Sequence, residues 1–247
     1  MNPVVGGSRR TRATFGLGVR RAPWSQVIRG RLRCVLLYLH GFASGPSSRK
    51  ARHVGEGFAA RGAPLTVPDL TPGPEGFERS TPRTMLEVAR AALGDAPGPH
   101  ALVGSSLGGY LAALLASQDA RVARLVLLAP AFRLFERWSG RLTAAQLDEW
   151  RTRGLATHHH VTGTERRIGW PFFEAARGLP AFPAVAVPTL VIAGARDETV
   201  PLADVEAWVA RTPSARLLTV DDGHELAGSL DLILAEAWDF LRPVHGR

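Results

Sequence analysis

The stretch that decides the fold is Gly104-Ser105-Ser106-Leu107-Gly108-Gly109-Tyr110, which contains a Gly-x-Ser-x-Gly pentapeptide. Apolar residues precede it at 101–103 and follow it at 111–116, so the pentapeptide lies where a buried strand turns into a helix. Such a tight turn needs glycines where side chains would clash, and it holds the central residue in strained backbone geometry. The pattern therefore predicts that Ser106 is a nucleophile raised above the end of a strand.

Further apolar runs alternate with helix-like segments along the chain, which is typical of parallel strands joined by crossover helices. Strands are predicted at 34–39, 64–67, 101–103, 125–128, 189–192 and 217–220. Helices are predicted at 47–61, 81–93, 107–117, 202–212 and 230–241. The fold class that follows is α/β, with a doubly wound, mostly parallel sheet and helices on both faces.

Residues 131–183 interrupt this alternation. They contain no strand-like run, but they are rich in aromatic residues and include a helix-forming stretch at 142–153. We interpret them as a small helical cap inserted into the sheet order, over the strand ends where ligands bind in such folds. The alternative is ordinary helix packing with the aromatic residues in the core.

A serine hydroxyl needs a base that takes its proton and an acidic group that orients the base. His224 follows the predicted strand at 217–220, and Asp197 follows the strand at 189–192. The chain order Ser106, Asp197, His224 is the order of the α/β-hydrolases. We therefore expect Ser106, Asp197 and His224 to be the catalytic residues, with Glu198 as the alternative acid.

The loop after the first strand is expected to complete an oxyanion hole. It reads His40-Gly41-Phe42-Ala43-Ser44, and the backbone N–H of Phe42 would join that of Leu107 at the developing negative charge. His40 is expected to hold this loop through hydrogen bonds. The residues expected to border the substrate are His40, Gly41, Ser105 and Tyr110.

The only histidine cluster is 158–160, where three successive residues cannot all face one metal ion and no cysteine or carboxylate spacing accompanies them. Because the cluster falls in the inserted segment, it is expected at the entrance of a pocket. No metal and no cofactor are predicted.

These motifs together resemble the α/β-hydrolase superfamily over about residues 34–241, and the loop at 40–44 with the sequence at 104–110 is similar to the small YqiA-like serine esterases. The resemblance implies a carboxylesterase-type hydrolase that acts on a small-molecule ester. The segment 131–183 is longer than in the most compact members of that group, so the resemblance does not give the acyl or alcohol specificity.

The charge of the chain is concentrated at its beginning. The net charge is +8, but residues 1–33 contain eight arginines and no acidic residue, so the remainder has 22 basic and 22 acidic residues. We therefore expect an N-terminal arm at 1–33 followed by an α/β-hydrolase domain at 34–247, with no nucleic-acid partner. The arm is open to three interpretations: a targeting segment, an anion-binding segment, or upstream sequence included by a wrongly assigned start codon.

The most favoured function is a serine hydrolase that cleaves carboxylic esters, or thioesters, through an acyl-enzyme. Peptide or carbon–carbon bond cleavage by the same residues is the second hypothesis, since a fold does not fix a reaction. A binding protein without enzyme activity is the third. A single cysteine excludes an intrachain disulfide, and no apolar run has the roughly 20 residues of a membrane span. We therefore expect a cytoplasmic protein without membrane association.

Overall fold

The computed structural model describes residue 1, residues 34–73 and residues 75–245, so the predicted N-terminal arm lies outside the described residues except for Met1. The strands, in chain order, are β1 (Leu36–Leu39), β2 (His100–Ser105), β3 (Val122–Leu128), β4 (Leu155–His159), β5 (Thr164–Ile168), β6 (Thr189–Gly194) and β7 (Ala215–Val220). Five of them form a parallel sheet in the order β1-β2-β3-β6-β7. β4 and β5 form a separate antiparallel pair.

The helices, in chain order, are α1 (Arg49–Ala60), α2 (Gly76–Arg79), α3 (Pro82–Leu93), α4 (Leu107–Ala116), α5 (Leu134–Arg141), α6 (Ala144–Arg153), α7 (Trp170–Arg177), α8 (Leu202–Val209) and α9 (Leu230–His245). The five predicted helices of the sheet domain, α1, α3, α4, α8 and α9, are confirmed to within about one turn at each end.

β1, β2 and β6 are buried along their whole length and β3 along most of it, which explains their largely apolar sequences, whereas the edge strand β7 is only partly buried. Alternate strand residues point to opposite sides, so Tyr38 and Val103 pack with the apolar side chains of α1 and α9 in one core. Leu37, Leu102 and Val191 pack in a second core with α3, α4 and α8. The predicted doubly wound α/β fold is thereby confirmed.

The predicted strand at 64–67 is wrong in extent. Only Thr66 pairs with the sheet: its N–H donates to the Leu36 carbonyl at 2.8 Å, and its carbonyl accepts from the Tyr38 N–H at 2.8 Å. Pro64 and Pro68 flank this segment and have no N–H to donate, which limits the ladder to a single bridge. β1 therefore lies between a later segment of the chain on one side and β2 on the other.

This arrangement makes the boundary of β1 and β2 a topological switch point, where the chain stops adding strands on one side and continues on the other. Ligands of open α/β sheets bind at the carboxyl ends of the strands that flank such a point. The loop at 40–44 follows β1, and Ser106 follows β2. The fold thus brings together the two segments in which the sequence predicts the oxyanion hole and the nucleophile.

The insertion between β3 and β6 differs from the prediction of a purely helical cap. It contains α5, α6 and α7, but also the hairpin of β4 and β5. The hairpin strands alternate between exposed and less exposed residues and include charged side chains, which is why no buried apolar run marks them. The hairpin is fixed to α2 by Arg166, which donates to both carboxylate oxygens of Glu78 at 2.6 Å.

Within the described part of the chain, no helix combines the length and the apolar character that crossing a bilayer requires.

Candidate active site

Ser106 lies directly between β2 and α4 in a backbone conformation that non-glycine residues rarely adopt, with φ 54° and ψ −118°. Its N–H donates to the Leu128 carbonyl at 2.8 Å, and its own carbonyl accepts from Ala131 at 3.0 Å. A side chain on Gly108 would overlap the carbonyls of Leu39 and His40. The glycines of the pentapeptide are therefore required for β1, β2 and α4 to pack this closely, as the sequence predicts.

The three predicted catalytic side chains are brought together. Nε2 of His224 lies 3.0 Å from Oγ of Ser106, and Nδ1 of the same ring lies 2.8 Å from Oδ2 of Asp197. The Asp197 side chain is 1% exposed and that of His224 13%. Because the carboxylate accepts a hydrogen bond from Nδ1–H, the ring keeps its proton on Nδ1 and presents its Nε2 lone pair to the serine hydroxyl.

Asp197 is held in place by its own turn. Its Oδ1 accepts the backbone N–H groups of Thr199 at 2.9 Å and Val200 at 2.7 Å. Burial by itself would raise the pKa of the Asp197 carboxyl, but the hydrogen bonds from His224, Val200 and Thr199 outweigh it and the pKa is lowered. The carboxylate is therefore charged at neutral pH. Glu198, the alternative acid, is exposed, and the His224 ring forms its ion pair with Asp197 instead.

The turn that carries His224 is fixed from two directions. Asp222 accepts hydrogen bonds from the N–H groups of Gly223 at 2.8 Å and Gly228 at 2.9 Å, and from the Ser229 hydroxyl at 2.9 Å. On the other side, Nζ of Lys50 donates to the His224 carbonyl at 3.3 Å.

Lys50 belongs to α1 and is the only lysine of the chain. Its side chain is 10% exposed and lies 3.4 Å from the Glu225 carboxylate. Burial lowers its pKa, while Glu225 and the two nearby aspartates act in the opposite direction. The sequence analysis did not identify this residue, because its role depends on how α1 packs beside a loop about 170 positions later in the chain.

The Phe42 and Leu107 backbone N–H groups are available for a ligand. Leu107 is the first residue of α4, where an N–H has no acceptor within the helix. None of the hydrogen bonds of the described residues uses either N–H as a donor. Both residues border the same cavity as Ser106.

Two cavities meet at Ser106. The first has a volume of about 300 Å³, and its walls are largely apolar side chains of the insertion. They include Leu134, Trp138, Leu142 and Phe172, with Arg137 and Arg141 among them. The second has a volume of about 860 Å³ and is more polar, with Arg49, Arg52, Glu198, His160 and Glu225 on its walls. A ligand with one apolar and one polar part would therefore match the two cavities, with Ser106 between the parts.

Arg137 and Arg141 come from α5 and both donate to the Thr199 carbonyl, Arg141 at 2.8 Å. Burial, followed by the neighbouring Arg141, lowers the pKa of Arg137 to about 10, so its guanidinium remains charged at neutral pH. The sequence analysis did not identify either arginine. Their spacing of four residues places both on one face of α5, but the sequence does not show which face meets the cavity.

The residues predicted to border the substrate divide into two groups. Gly41 and Ser105 lie on the wall of the polar cavity. His40 and Tyr110 do not reach either cavity. The Tyr110 hydroxyl donates to the Pro180 carbonyl at 2.8 Å, which connects α4 to the end of the insertion.

His40 instead holds the loop at 40–44 through hydrogen bonds, as the sequence analysis also expects. It is 2% exposed, its Nδ1 lies 3.0 Å from the Gly41 carbonyl, and its Nε2 accepts the Leu70 N–H at 3.1 Å. These partners define a neutral ring with the proton on Nδ1, and burial lowers the pKa of His40 accordingly.

The histidines at 158–160 have separate environments. His158 is exposed, His159 packs edge-on against Phe77, and His160 borders the polar cavity while its N–H donates to the Ala43 carbonyl at 2.8 Å. Among the described residues, no group of three or more histidine, cysteine, aspartate or glutamate side chains is arranged to hold a metal ion.

The switch-point location and the chain order of the serine after β2, the acid after β6 and the histidine after β7 are those of the α/β-hydrolase fold. The chain belongs to UPF0227, which is described as an uncharacterised protein family and whose model matches residues 35–226. A comparison with curated protein sequences gives no match.

Solved structures share the fold. Alpha/beta hydrolase domain-containing protein 10 from mouse is 21% identical with a TM-score of 0.72, covering 87% of this chain and 92% of its own. Est1E from Butyrivibrio proteoclasticus is 21% identical with a TM-score of 0.66, covering 84% and 87%. The esterase Pf2001 from Pyrococcus furiosus is 18% identical with a TM-score of 0.63, covering 87% and 84%.

Proposed function

We propose that this protein is a serine hydrolase that cleaves carboxylic esters through an acyl-enzyme intermediate. The observation that carries the proposal is the His224 ring, which lies 3.0 Å from the Ser106 hydroxyl and 2.8 Å from the buried Asp197 carboxylate. The esterases among the structures that share the fold are consistent with this reaction class.

In the first half of the reaction, Nε2 of His224 accepts the Ser106 proton while Oγ forms a bond to the carbonyl carbon of the ester. The carbonyl electron pair moves to oxygen, and the Phe42 and Leu107 N–H groups donate to that oxyanion. Collapse of the intermediate breaks the bond to the alcohol oxygen, which receives the proton from His224. Asp197 stabilises the imidazolium throughout.

In the second half, water takes the place of the alcohol. His224 accepts a proton from water, the hydroxide oxygen bonds to the acyl carbon, and collapse of the second intermediate releases the acid and returns the proton to Ser106. The mechanism uses only groups of this chain and requires no cofactor. Hydrolysis of thioesters proceeds by the same steps with a thiol as the leaving group.

The experiment that tests this proposal is labelling with a fluorophosphonate, which reacts with activated serines, combined with hydrolysis of 4-nitrophenyl butyrate. The wild-type protein is expected to be labelled and active, whereas Ser106→Ala abolishes both. Ser117→Ala is the matched control, since it removes an exposed hydroxyl after the end of α4, outside both cavities, and is expected to retain labelling. Labelling of the Ser106→Ala variant at the wild-type rate would contradict the proposal.

A panel of esters, thioesters and peptides of similar side chains would identify the scissile bond. The proposal predicts turnover of the esters and not of the peptides. Cytoplasmic location, a small-molecule ester as the partner, and the division of the chain into a hydrolase domain with a cap remain predictions.

A further inference from the structure

The apolar cavity beside Ser106 is bordered by two arginines, Arg137 and Arg141, that form no ion pair, although Asp204 and Asp197 act on Arg137 from a longer distance. All aspartates and glutamates of the chain lie in the part that the structure describes. None of them comes within 4.0 Å of the guanidinium of Arg137 or Arg141. Arg133, which directly precedes α5, does pair with Asp204, at 3.0 Å. Of these three arginines, the two at the cavity are therefore the ones without an acidic side chain within 4.0 Å.

The hydrogen bonds of these two arginines do not satisfy them. Both donate to the Thr199 carbonyl, and Arg141 also donates to the Glu198 carbonyl at 3.3 Å. Nη1 of Arg137 is buried and has no partner among the described residues. A buried donor without an acceptor is rare in native proteins, and this one belongs to a residue on the wall of a cavity that Ser106 shares.

We propose that the substrate carries a carboxylate at the end of the arm that enters the apolar cavity, where it pairs with Arg137 and Arg141. This inference rests on the proposed function and names its substrate class: esters with a short apolar arm and an acidic end. A guanidinium presents its donors in a planar fork that matches a carboxylate. A carboxylate is also small, so a cavity of about 300 Å³ has room for it together with the rest of the arm.

The apolar walls strengthen this pairing. Leu134, Trp138, Leu142 and Phe172 lower the local dielectric at the half-buried Arg137, so an anion there is attracted more strongly than it would be in water, whereas Arg141 is exposed. These apolar walls also favour a substrate whose arm before the carboxylate is apolar, because an entirely polar ligand would leave the walls without an apolar partner. Trp138 and Phe172 pack against each other and against Phe42, so this wall is continuous with the oxyanion loop.

The kinetic test compares a charged ester with a neutral ester of the same arm: mono-4-nitrophenyl adipate and 4-nitrophenyl methyl adipate. For the wild-type protein, kcat/KM is expected to be at least tenfold higher for the charged ester. Arg137→Gln is expected to reduce this ratio about tenfold, whereas Arg137→Lys retains part of it. Arg153→Gln, which removes an exposed arginine of α6 outside both cavities, is expected to leave the ratio unchanged.

Arg137 also supports the turn of Asp197, so its substitution can lower activity for a structural reason. The ratio of kcat/KM for the charged and the neutral ester distinguishes this effect from a loss of carboxylate recognition. Loss of that support lowers the turnover of both esters equally and leaves their ratio intact. A wild-type ratio near one, or an equal loss for both esters in Arg137→Gln, would overturn the inference and leave the proposed function standing.

A binding measurement makes the inference independent of turnover. Calorimetry with the Ser106→Ala variant is expected to give at least tenfold tighter binding of 4-phenylbutyrate than of the neutral 4-phenylbutanamide, and the additional Arg137→Gln change removes the difference. If neither ester is hydrolysed but this difference is found, the proposed function fails and the carboxylate site stands. If the acid and the amide bind equally, the carboxylate site is rejected whatever the esters show.

Discussion

At the scale of single residues, the site contains two adjacent acidic residues that have different environments. Asp197 is buried and bonded to His224, while Glu198 next to it is exposed. The two carboxylates differ by one methylene group and one position, but only the first also accepts two N–H groups of its own turn. The turn therefore fixes one acid in the orientation that the histidine requires.

Asp197→Asn tests this division. The amide no longer bears the charge that stabilises the imidazolium, and it can donate a hydrogen bond that favours the wrong tautomer of His224. We expect kcat/KM for 4-nitrophenyl butyrate to fall by about 10⁴-fold. Glu198→Gln is the matched control and is expected to retain activity within about threefold. The reverse result would make Glu198 the catalytic acid.

At the scale of elements, the structure shows why some strands can be predicted from the sequence and others cannot. β2 and β6 are buried along their whole length and β3 along most of it, so each is a largely apolar run, whereas the edge strand β7 is only partly buried. Ser106, Asp197 and His224 each follow the end of one strand, of β2, β6 and β7 respectively, within four residues. β4 and β5 have exposed positions and charged side chains, and their pairing depends on each other and on the Glu78–Arg166 contact. No local pattern distinguishes such a hairpin from a polar loop.

The packing of α1 beside the His224 turn leads to a prediction about Lys50. Lys50→Met removes the donor to the His224 carbonyl, and a hydrogen bond from a charged group contributes about 1.5–3 kcal/mol. We expect kcat to fall roughly 10- to 100-fold with little change in KM, because the histidine is displaced while the cavities remain.

Two measurements accompany the Lys50 variant. Arg216→Met removes a cation whose ion pair with Glu236 joins β7 to α9 away from the site, and it is expected to keep wild-type kcat. Urea unfolding reports whether Lys50→Met lowers stability. An unchanged kcat for Lys50→Met would show that His224 does not need this support.

At the scale of the whole molecule, several buried histidines are held neutral by the fold. His100 is fully buried, accepts the Val35 N–H at Nδ1 and lies 3.0 Å from the Ala96 carbonyl at Nε2. Burial lowers the pKa of both His100 and His40 below the ordinary value of 6.5. The unfolded chain therefore takes up protons at these positions before the folded protein does.

This difference gives the pH dependence of stability a definite sign. The contribution of the neutral histidines is fully present above pH 6.5 and is lost as the pH falls towards their lowered pKa values. We expect the free energy of unfolding, from urea titrations, to decrease by about 1–3 kcal/mol between pH 7.5 and 5.5. His100→Gln should weaken this dependence, and the exposed His158→Gln should not. A constant free energy over this range would contradict the prediction.

The limits of prediction from sequence follow from what determines each feature. The α/β fold and the three residues Ser106, Asp197 and His224 depend on local runs and their order, and the structure brings all three together. Tyr110 lies beside the nucleophile in sequence, but its side chain points to the Pro180 carbonyl instead of a cavity. The direction of a side chain on a buried helix depends on tertiary packing, which a single sequence does not state.

The Thr199 carbonyl has a consequence for how this protein can be altered. It accepts from two arginines of the insertion, while the N–H of the same residue donates to Asp197. One residue thus joins the insertion, which borders the apolar cavity, to the aspartate that is bonded to His224. The insertion therefore cannot be exchanged without affecting the site. Replacing it with that of another family member, to obtain a new selectivity, would also remove two of the contacts that hold the Asp197 turn.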